Sequence, residues 1–190
     1  FNPNLYPNKT DDNETVRLIH IATFSKNKNQ IFTINILEEL IKRNIKANLK
    51  FVGRYSDQDS EQYYYEMKKQ IYEKDLNERI QFLPSNTNVA QALSESDVLI
   101  FPSFEEGFPL VPLEAQAMQK KCYISDSVTN ELDCGGCTFF SIAKGPIACA
   151  EMIINDIKTG NIKGRKYDMH RFESKVIINQ YKTLYRGGLV

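Results

Sequence analysis

The stretch FPSFEEGFPLVPLEAQA, from Phe101 to Ala117, decides the fold of this chain. It places the end of an apolar strand, a glycine turn and the start of a helix between Glu106 and Glu114. An α/β protein presents backbone amides and a carboxylate to a nucleotide diphosphate in this order. The run SDVLI just upstream predicts a buried strand, and PLEAQAM predicts the helix that follows the turn.

Strands and helices alternate along the rest of the sequence. The run VRLIHIA at 16–22 is almost continuously apolar, as expected of a strand covered on both faces. The aliphatic residues of 30–42 fall close to one helical face. This alternation predicts βα units and an α/β fold with a doubly wound, Rossmann-like parallel sheet. Strands are predicted at 16–22, 48–53, 79–83, 97–101, 121–125 and 137–142, and helices at 30–42, 63–76, 89–93, 110–119, 146–159 and 171–186.

Composition narrows the classes of function. The 190 residues predict one domain, and their formal net charge of zero argues against a general nucleic-acid binder, which needs a basic face. No apolar run approaches the roughly 20 residues of a membrane-spanning helix. The polar, proline-containing start FNPNLYPNKTDDNE predicts a linker left from a longer protein.

Candidate ligand residues follow the predicted strands, because a doubly wound sheet binds ligands beyond the carboxyl ends of its strands. The first such loop contains Lys26 and Lys28, and the second contains Gly53 and Arg54. With the glutamates of 103–110, these loops offer the cations, glycines and carboxylates that suit a diphosphate and a sugar. GxGxxG and GxxxxGK[ST] motifs are both missing from the sequence, which argues against nicotinamide and P-loop sites.

Other residues that often carry chemistry have structural interpretations here. Cys134 and Cys137 have Cys-x-x-Cys spacing, but they precede a predicted strand and no second pair exists, so we predict free thiols and no metal site. His20 lies inside the first predicted strand and is predicted to be a core residue with satisfied hydrogen bonds. The tyrosines at 63–65 fall in a helix away from the loops, which predicts packing and surface roles instead of base stacking.

The motifs resemble those of the C-terminal, donor-binding domain of GT-B glycosyltransferases of family 4, in their capsular and exopolysaccharide branch. EGFPLVPLEAQA is close to the EGLPLV-type motif of that branch, and TFSKNKNQ resembles its RFSxQKNQ loop. ISDSVTNEL is similar to a later ISD segment, and FESKVIINQYKTLY is similar to the closing helix. The resemblance covers essentially the whole chain.

The resemblance implies a role for each matching residue. Glu114 would bind the ribose hydroxyls, and Glu106, the candidate catalytic residue, would lie near the hydroxyls of the donor sugar. Lys28 would neutralise the diphosphate. Apart from the resemblance, Gly53, Arg54 and Gly107 are predicted to line the donor site because they lie in the loops that follow the strands. The two glycines are predicted where a close approach or a positive φ suits only glycine. Backbone amides at the start of a helix would cap the diphosphate, at Phe108, Pro109, Leu110 and Val111.

The implied activity is retaining transfer of a sugar from a nucleotide-diphosphate sugar to a polysaccharide or lipid-linked acceptor. UDP is the expected nucleotide, with GDP as an alternative. The reaction would need no cofactor and no metal, because a lysine and a helix terminus can stabilise the departing diphosphate. The protein would be cytoplasmic, either free or peripheral at the inner face of the membrane.

The implied domain organisation is an interdomain linker at 1–15, a nucleotide-sugar-binding domain at 16–170, and a C-terminal helix at 171–190. That helix would pack towards an N-terminal domain outside this chain, which would contribute the acceptor site. The residues of this chain alone would then bind a nucleotide but would transfer sugar only negligibly.

Two positions depart from the family pattern, and other classes stay open. Thr23 stands where an arginine is usual, and Lys26 or Arg54 could compensate. Gln119 stands where a glycine is common, which predicts a turn made without a left-handed residue. A sugar-nucleotide 2-epimerase, a phosphorylase or a non-catalytic nucleotide-binding module are the alternatives. The combination of two glutamates with Lys28 favours the transferase.

Overall fold

Six parallel strands form one sheet in the computed structural model, which describes residues 1–7, 14–163, 166–173 and 176. The strands are β1 Val16–Ile21, β2 Ala47–Val52, β3 Ile80–Leu83, β4 Val98–Phe101, β5 Lys121–Ser125 and β6 Cys137–Phe140. The helices are α1 Gln30–Lys42, α2 Gln58–Glu73, α3 Val89–Ser94, α4 Val111–Ala117 and α5 Gly145–Lys158.

The strand order is β3-β2-β1-β4-β5-β6, so the predicted doubly wound α/β sheet is confirmed. From β1 the chain builds outward through β2 to β3, and it then returns to the centre and builds outward again from β4 to β6. β1 is therefore central, pairing with β2 from Val16–Ala47 onward and with β4 at Leu18–Val98. The reversal between β1 and β4 creates the crevice in which such sheets bind ligands.

Successive residues of the central strands point to opposite faces of the sheet, and each face has its own hydrophobic core. Leu18 and Ile100 pack with the apolar residues of α1, α2 and α5, whereas Ile19 and Leu99 pack with those of α3 and α4. All four are fully buried. Because helices cover both faces of the sheet, the sequences of the central strands are continuously apolar.

Helix α2 begins five residues before the predicted start at 63 and ends at Glu73. Asp57 caps it: its carboxylate accepts the Ser60 amide at 2.8 Å, and the Ser60 hydroxyl accepts the Asp57 amide at 3.0 Å. Such a reciprocal capping box normally carries Glu or Gln at the third helical position, so a serine there gave no signal. Asp75, at φ 54°, ends the helical path before the predicted limit at 76.

The other elements predicted within the described residues begin and end within two residues of their predicted bounds. Most of the predicted helix 171–186, and of the segment 171–190, lies outside the described residues; His170–Phe172 form a 3-10 turn. Pro3–Leu5 form another 3-10 turn, and the linker role of 1–15 stays a prediction. Over the part of the chain that the structure describes, the helices are too short or too polar to span a bilayer.

The turn after α4 is made by Gln119 in the left-handed region, at φ 60°. The Gln119 amide donates to the Gln116 carbonyl at 2.8 Å, and the Lys120 amide donates to the Ala115 carbonyl at 2.9 Å. These two bonds form a Schellman cap. The expectation that the turn avoids a left-handed residue is therefore wrong: the glutamine adopts that conformation at a cost of about 1–2 kcal/mol.

Candidate functional site

The loop between β1 and α1 turns tightly and places Lys28 at the carboxyl end of β1. The amides of Lys28 and Asn29 donate to the Ser25 carbonyl at 3.1 and 3.2 Å. The buried Gln30 side chain donates to the Thr23 carbonyl at 2.8 Å and accepts the Ser25 amide at 3.4 Å. One glutamine thus fixes both ends of the loop in which Lys28 sits.

Lys28 and Glu106, 78 positions apart in the sequence, meet across the crevice between β1 and β4. Their Nζ and Oε1 atoms lie 2.5 Å apart, and the side chains are only 23% and 12% exposed. Lys28 follows β1 and Glu106 follows β4, so the pair marks the point where the strand order reverses. The structure therefore brings together the predicted phosphate-binding cation and the predicted sugar-binding carboxylate.

Asn27 joins the two loops that carry this ion pair, a role that no sequence motif indicates. Its Nδ2 atom donates to the Glu105 carbonyl at 2.9 Å, and its own carbonyl accepts the Phe104 amide at 2.9 Å. The Asn29 side chain adds a bond to the Pro102 carbonyl at 3.3 Å. Because these contacts depend on β1 and β4 being neighbours, only the strand order reveals them.

Glu114 lies on the first turn of α4 and is half-buried. Burial raises the pKa of its carboxyl group. Among the described residues, no side chain or amide donates a hydrogen bond to this carboxylate. A carboxylate of this kind is able to accept two donors from a ligand.

The predicted amide cap at 108–111 has limited support from the local geometry. Helix α4 has only seven residues, and no side chain caps its first turn at Leu110. Phe108 and Leu110 are exposed, Pro109 is buried, and Val111 is half-buried. Pro109 has no N–H group to offer, so the remaining three amides carry that prediction.

Gly53 and Gly107 differ in how closely other atoms approach them. A Cβ atom at Gly53 would lie 2.0 Å from the Ala22 carbonyl oxygen, so the close-approach requirement is confirmed there. A Cβ atom at Gly107 would meet nothing within 4 Å, and its φ is outside the left-handed region. The prediction that a close approach or a positive φ requires glycine at position 107 is therefore wrong for the chain without a ligand. Its contact with a donor stays a prediction.

Arg54 lines a cavity of about 360 Å³ beyond the carboxyl ends of β2 and β3. Tyr64 lies on the same cavity and stacks on Phe24, with ring centroids 5.4 Å apart. The prediction that the tyrosines at 63–65 lie away from the loops is wrong for Tyr64, because it lines this cavity together with the loops that follow β2 and β3. Tyr63 is buried, and Tyr65 is exposed.

Thr23, where a cation was expected, is exposed. Of the two residues that could compensate, Lys26 lines a separate cavity of about 540 Å³ beside the carboxylates of Asp57 and Asp59. Arg54 follows β2 and lines a cavity to which the described part of the chain contributes no acidic residue. Arg54 is thus the better placed of the two to attract an anion.

His20 is buried in the core next to α1. Its Nδ1 atom lies 2.9 Å from the Thr33 hydroxyl, but its Nε2 atom has no partner among the described residues. The predicted core position of His20 is confirmed, but the prediction that both of its ring nitrogens have hydrogen-bond partners is wrong. Burial, together with the positive charge of Lys28, lowers the pKa of His20 to about 3.

This lowered pKa predicts a loss of stability in mild acid. The unfolded imidazole titrates near 6.5, so between pH 6.5 and 3 the unfolded chain binds one more proton than the folded chain. The free energy of unfolding should therefore be about 2 kcal/mol lower at pH 5 than at pH 8 from His20 alone. Urea unfolding of the natural chain and of His20→Asn measures this difference. An equal pH dependence in both chains would refute it.

The four cysteines are free thiols. Cys122 and Cys137 lie opposite each other in β5 and β6, and Cys122 is fully buried. Within the described ranges, no three His, Cys, Asp or Glu side chains are grouped closely enough to hold a metal ion.

Residues 5–132 match the family Glycosyl transferases group 1. The match covers more than half of the chain and includes Lys28, Glu106 and Glu114. This chain belongs to the group 1 glycosyltransferases.

Two proteins of similar sequence are also named as glycosyltransferases. EpsF of Bacillus subtilis, named as a glycosyltransferase, is 30% identical over 116 residues, which cover 61% of this chain and 29% of EpsF. CapM of Staphylococcus aureus, named as a capsular polysaccharide biosynthesis glycosyltransferase, is 34% identical over 126 residues, covering 57% of this chain and 33% of CapM. The match thus extends over about a third of each relative.

The crystal structure of HepE from Anabaena in complex with UDP has the same fold. The two superpose with a TM-score of 0.77 at 18% identity, over 100% of this chain and 56% of HepE. At this identity the likeness establishes the fold alone.

Proposed function

We propose that this group 1 glycosyltransferase chain binds a nucleotide-diphosphate sugar and forms the donor half of a retaining sugar transferase. The observation that carries the proposal is the meeting of Lys28 and Glu106 at the reversal of strand order. Two residues matched to donor-binding positions from sequence alone come into contact where a doubly wound sheet binds its ligands.

Lys28 would bind the diphosphate and stabilise it as it leaves. In the free chain its ammonium group is held by Glu106, so the cation is already positioned before a ligand arrives. A diphosphate would replace this carboxylate as the partner of Lys28, and the positive charge would offset the charge that develops on the departing group. Lys28 would thereby serve in place of a divalent metal ion.

Glu106, once displaced from Lys28, would accept hydrogen bonds from the hydroxyls of the donor sugar. Asn27 supports this role because its bond to the Glu105 carbonyl fixes the backbone next to Glu106. The two loops would then hold the sugar and its phosphates in a fixed relation to each other.

Glu114 would accept hydrogen bonds from the ribose hydroxyls through its carboxylate, to which no described residue donates a hydrogen bond. The base would lie toward the cavity lined by Arg54 and Tyr64, where an aromatic ring and a cation are available. UDP is the proposed nucleotide, and the presence of UDP in the structurally similar HepE supports it.

The acceptor is proposed to be a polysaccharide or a lipid-linked sugar, bound with the help of an N-terminal domain outside these residues. The name of CapM supports a place in the synthesis of a surface polysaccharide. No observation in the structure favours an epimerase, a phosphorylase or a non-catalytic module over this function.

Calorimetric titration of the chain with UDP, GDP and ADP tests the proposal. We expect saturable binding of UDP, weakened at least tenfold in Glu114→Ala, because each charge-assisted hydrogen bond contributes about 1.5–3 kcal/mol. Glu151→Ala removes the same charge at an exposed position on α5 and should bind as the natural chain does. Equal affinities of the two variants, or no binding of any of the three nucleotides, would overturn the proposed donor site.

A further inference from the structure

A third cavity, of about 500 Å³, opens at the amino end of the sheet, the end opposite to Lys28 and Glu106. Asp97 and Lys120, which directly precede β4 and β5, lie on its floor with Lys163. The N-terminal segment from Pro3 to Pro7 forms one of its walls.

The cationic groups at this cavity outnumber the acidic ones. Asp97 is fully engaged by Arg17: its two carboxylate oxygens accept the guanidinium at 2.8 and 2.9 Å, and one also accepts the Arg17 amide at 2.9 Å. Lys163 lies 3.7 Å from the same carboxylate. Over the residues that the structure describes, Asp97 is the one acidic side chain that lines the cavity, whereas Lys120 and Lys163 both line it.

Lys120 is the cation with the weakest compensation. Its Nζ atom donates to the Ser94 carbonyl at 3.1 Å, which satisfies one of its three N–H groups with a neutral acceptor. Burial lowers the pKa of Lys120 to about 8; the negative charge of Asp97 opposes this shift, and the positive charges of Arg17 and Lys163 add to it. A charged amine in such a setting gains much from an anion placed within its reach.

We propose that this cavity binds the phosphate group of a small molecule. A phosphate dianion matches the surplus of two positive charges, and Lys120 and Lys163 would contact it directly while Arg17 keeps Asp97 neutralised. The cavity is larger than one phosphate, so Tyr6 and Met118 would border the remainder of the ligand. Because the 3–7 segment forms a wall, the bound ligand would also fix that segment against the sheet.

Phosphate titration followed by ³¹P NMR and thermal unfolding tests this site, with inorganic phosphate as the probe at constant ionic strength. The titration is made in a Lys28→Ala background, which removes the cation of the proposed donor site. We expect saturable binding that raises the unfolding temperature, and about tenfold weaker binding when Lys120→Gln is added. Lys144→Gln removes the same charge from an exposed position before α5 and should leave phosphate binding unchanged.

Lys163→Gln provides a second test that does not depend on a buried residue, because the Lys163 side chain is 43% exposed. It should weaken phosphate binding severalfold even if Lys120→Gln fails to fold. Phosphate affinities of the Lys163→Gln and Lys144→Gln variants that agree within twofold would overturn the proposal, as would the lack of saturable binding in the Lys28→Ala chain.

Discussion

Replacing Lys28 by alanine is expected to weaken UDP binding by about 10–100-fold. The structure places this lysine in the crevice between the ends of β1 and β4, where the strand order reverses. Its ammonium group lies 2.5 Å from the Glu106 carboxylate, which the diphosphate would displace. Loss of a charge-assisted contact of about 1.5–3 kcal/mol corresponds to this range. Calorimetry with UDP measures it.

Glu106→Gln should change UDP affinity in the opposite direction. It removes the carboxylate that competes with the diphosphate for Lys28, and a partly exposed ion pair of this kind contributes about 0–1 kcal/mol. UDP should therefore bind about threefold more tightly, while contact with the sugar of a UDP-sugar is weakened. Glu105→Gln is the matched control, because Glu105 is adjacent and exposed. Parallel losses of UDP affinity in Lys28→Ala and Glu106→Gln would contradict the assigned roles.

Gly53→Ala is expected to lower the free energy of unfolding by about 3 kcal/mol. The added methyl group would lie 2.0 Å from the Ala22 carbonyl oxygen, a backbone atom that cannot rotate away. The ends of β1 and β2 would have to separate, and overpacking of this kind costs about 1–3 kcal/mol or more. Chemical unfolding of the variant measures the loss.

Gly107→Ala is the matched control for this substitution. Nothing lies within 4 Å of the added methyl group, and the backbone there is not left-handed, so stability should be unchanged or slightly higher. If the two variants unfold at the same denaturant concentration, the close approach at Gly53 does not control the stability of this region.

Most of the fold could be predicted from the sequence, because the central strands are covered on both faces and read as apolar runs. Helix α1 was predicted at its observed bounds for a related reason: its buried residues recur at helical spacing. Helix α2 could not be placed as well. Its start depends on the cap formed by Asp57 and Ser60, and its charged outer face gives no sharp boundary.

The site was predicted in part. Lys28 and Glu106 were found through motif resemblance, and their contact confirms that they share one place in the fold. Asn27 was missed, because its bond to the Glu105 carbonyl depends on β1 and β4 being neighbours, and local sequence patterns contain no information about such neighbours. Tyr64 was assigned a packing or surface role, and its place beside the cavity likewise depends on the loops that the fold brings next to α2.

The buried side-chain amide of Gln116 limits where residues can be inserted into this protein. Its oxygen accepts the amides of Cys134 and Gly136 at 2.7 and 3.3 Å, and its nitrogen donates to the Leu132 carbonyl at 2.9 Å. Surface connections between strands normally tolerate added residues. Here the segment before β6 is joined to the helix that carries Glu114, so added length would displace a proposed binding residue. Grafts and circular permutations belong instead at the exposed residues 126–127, which precede the anchored segment.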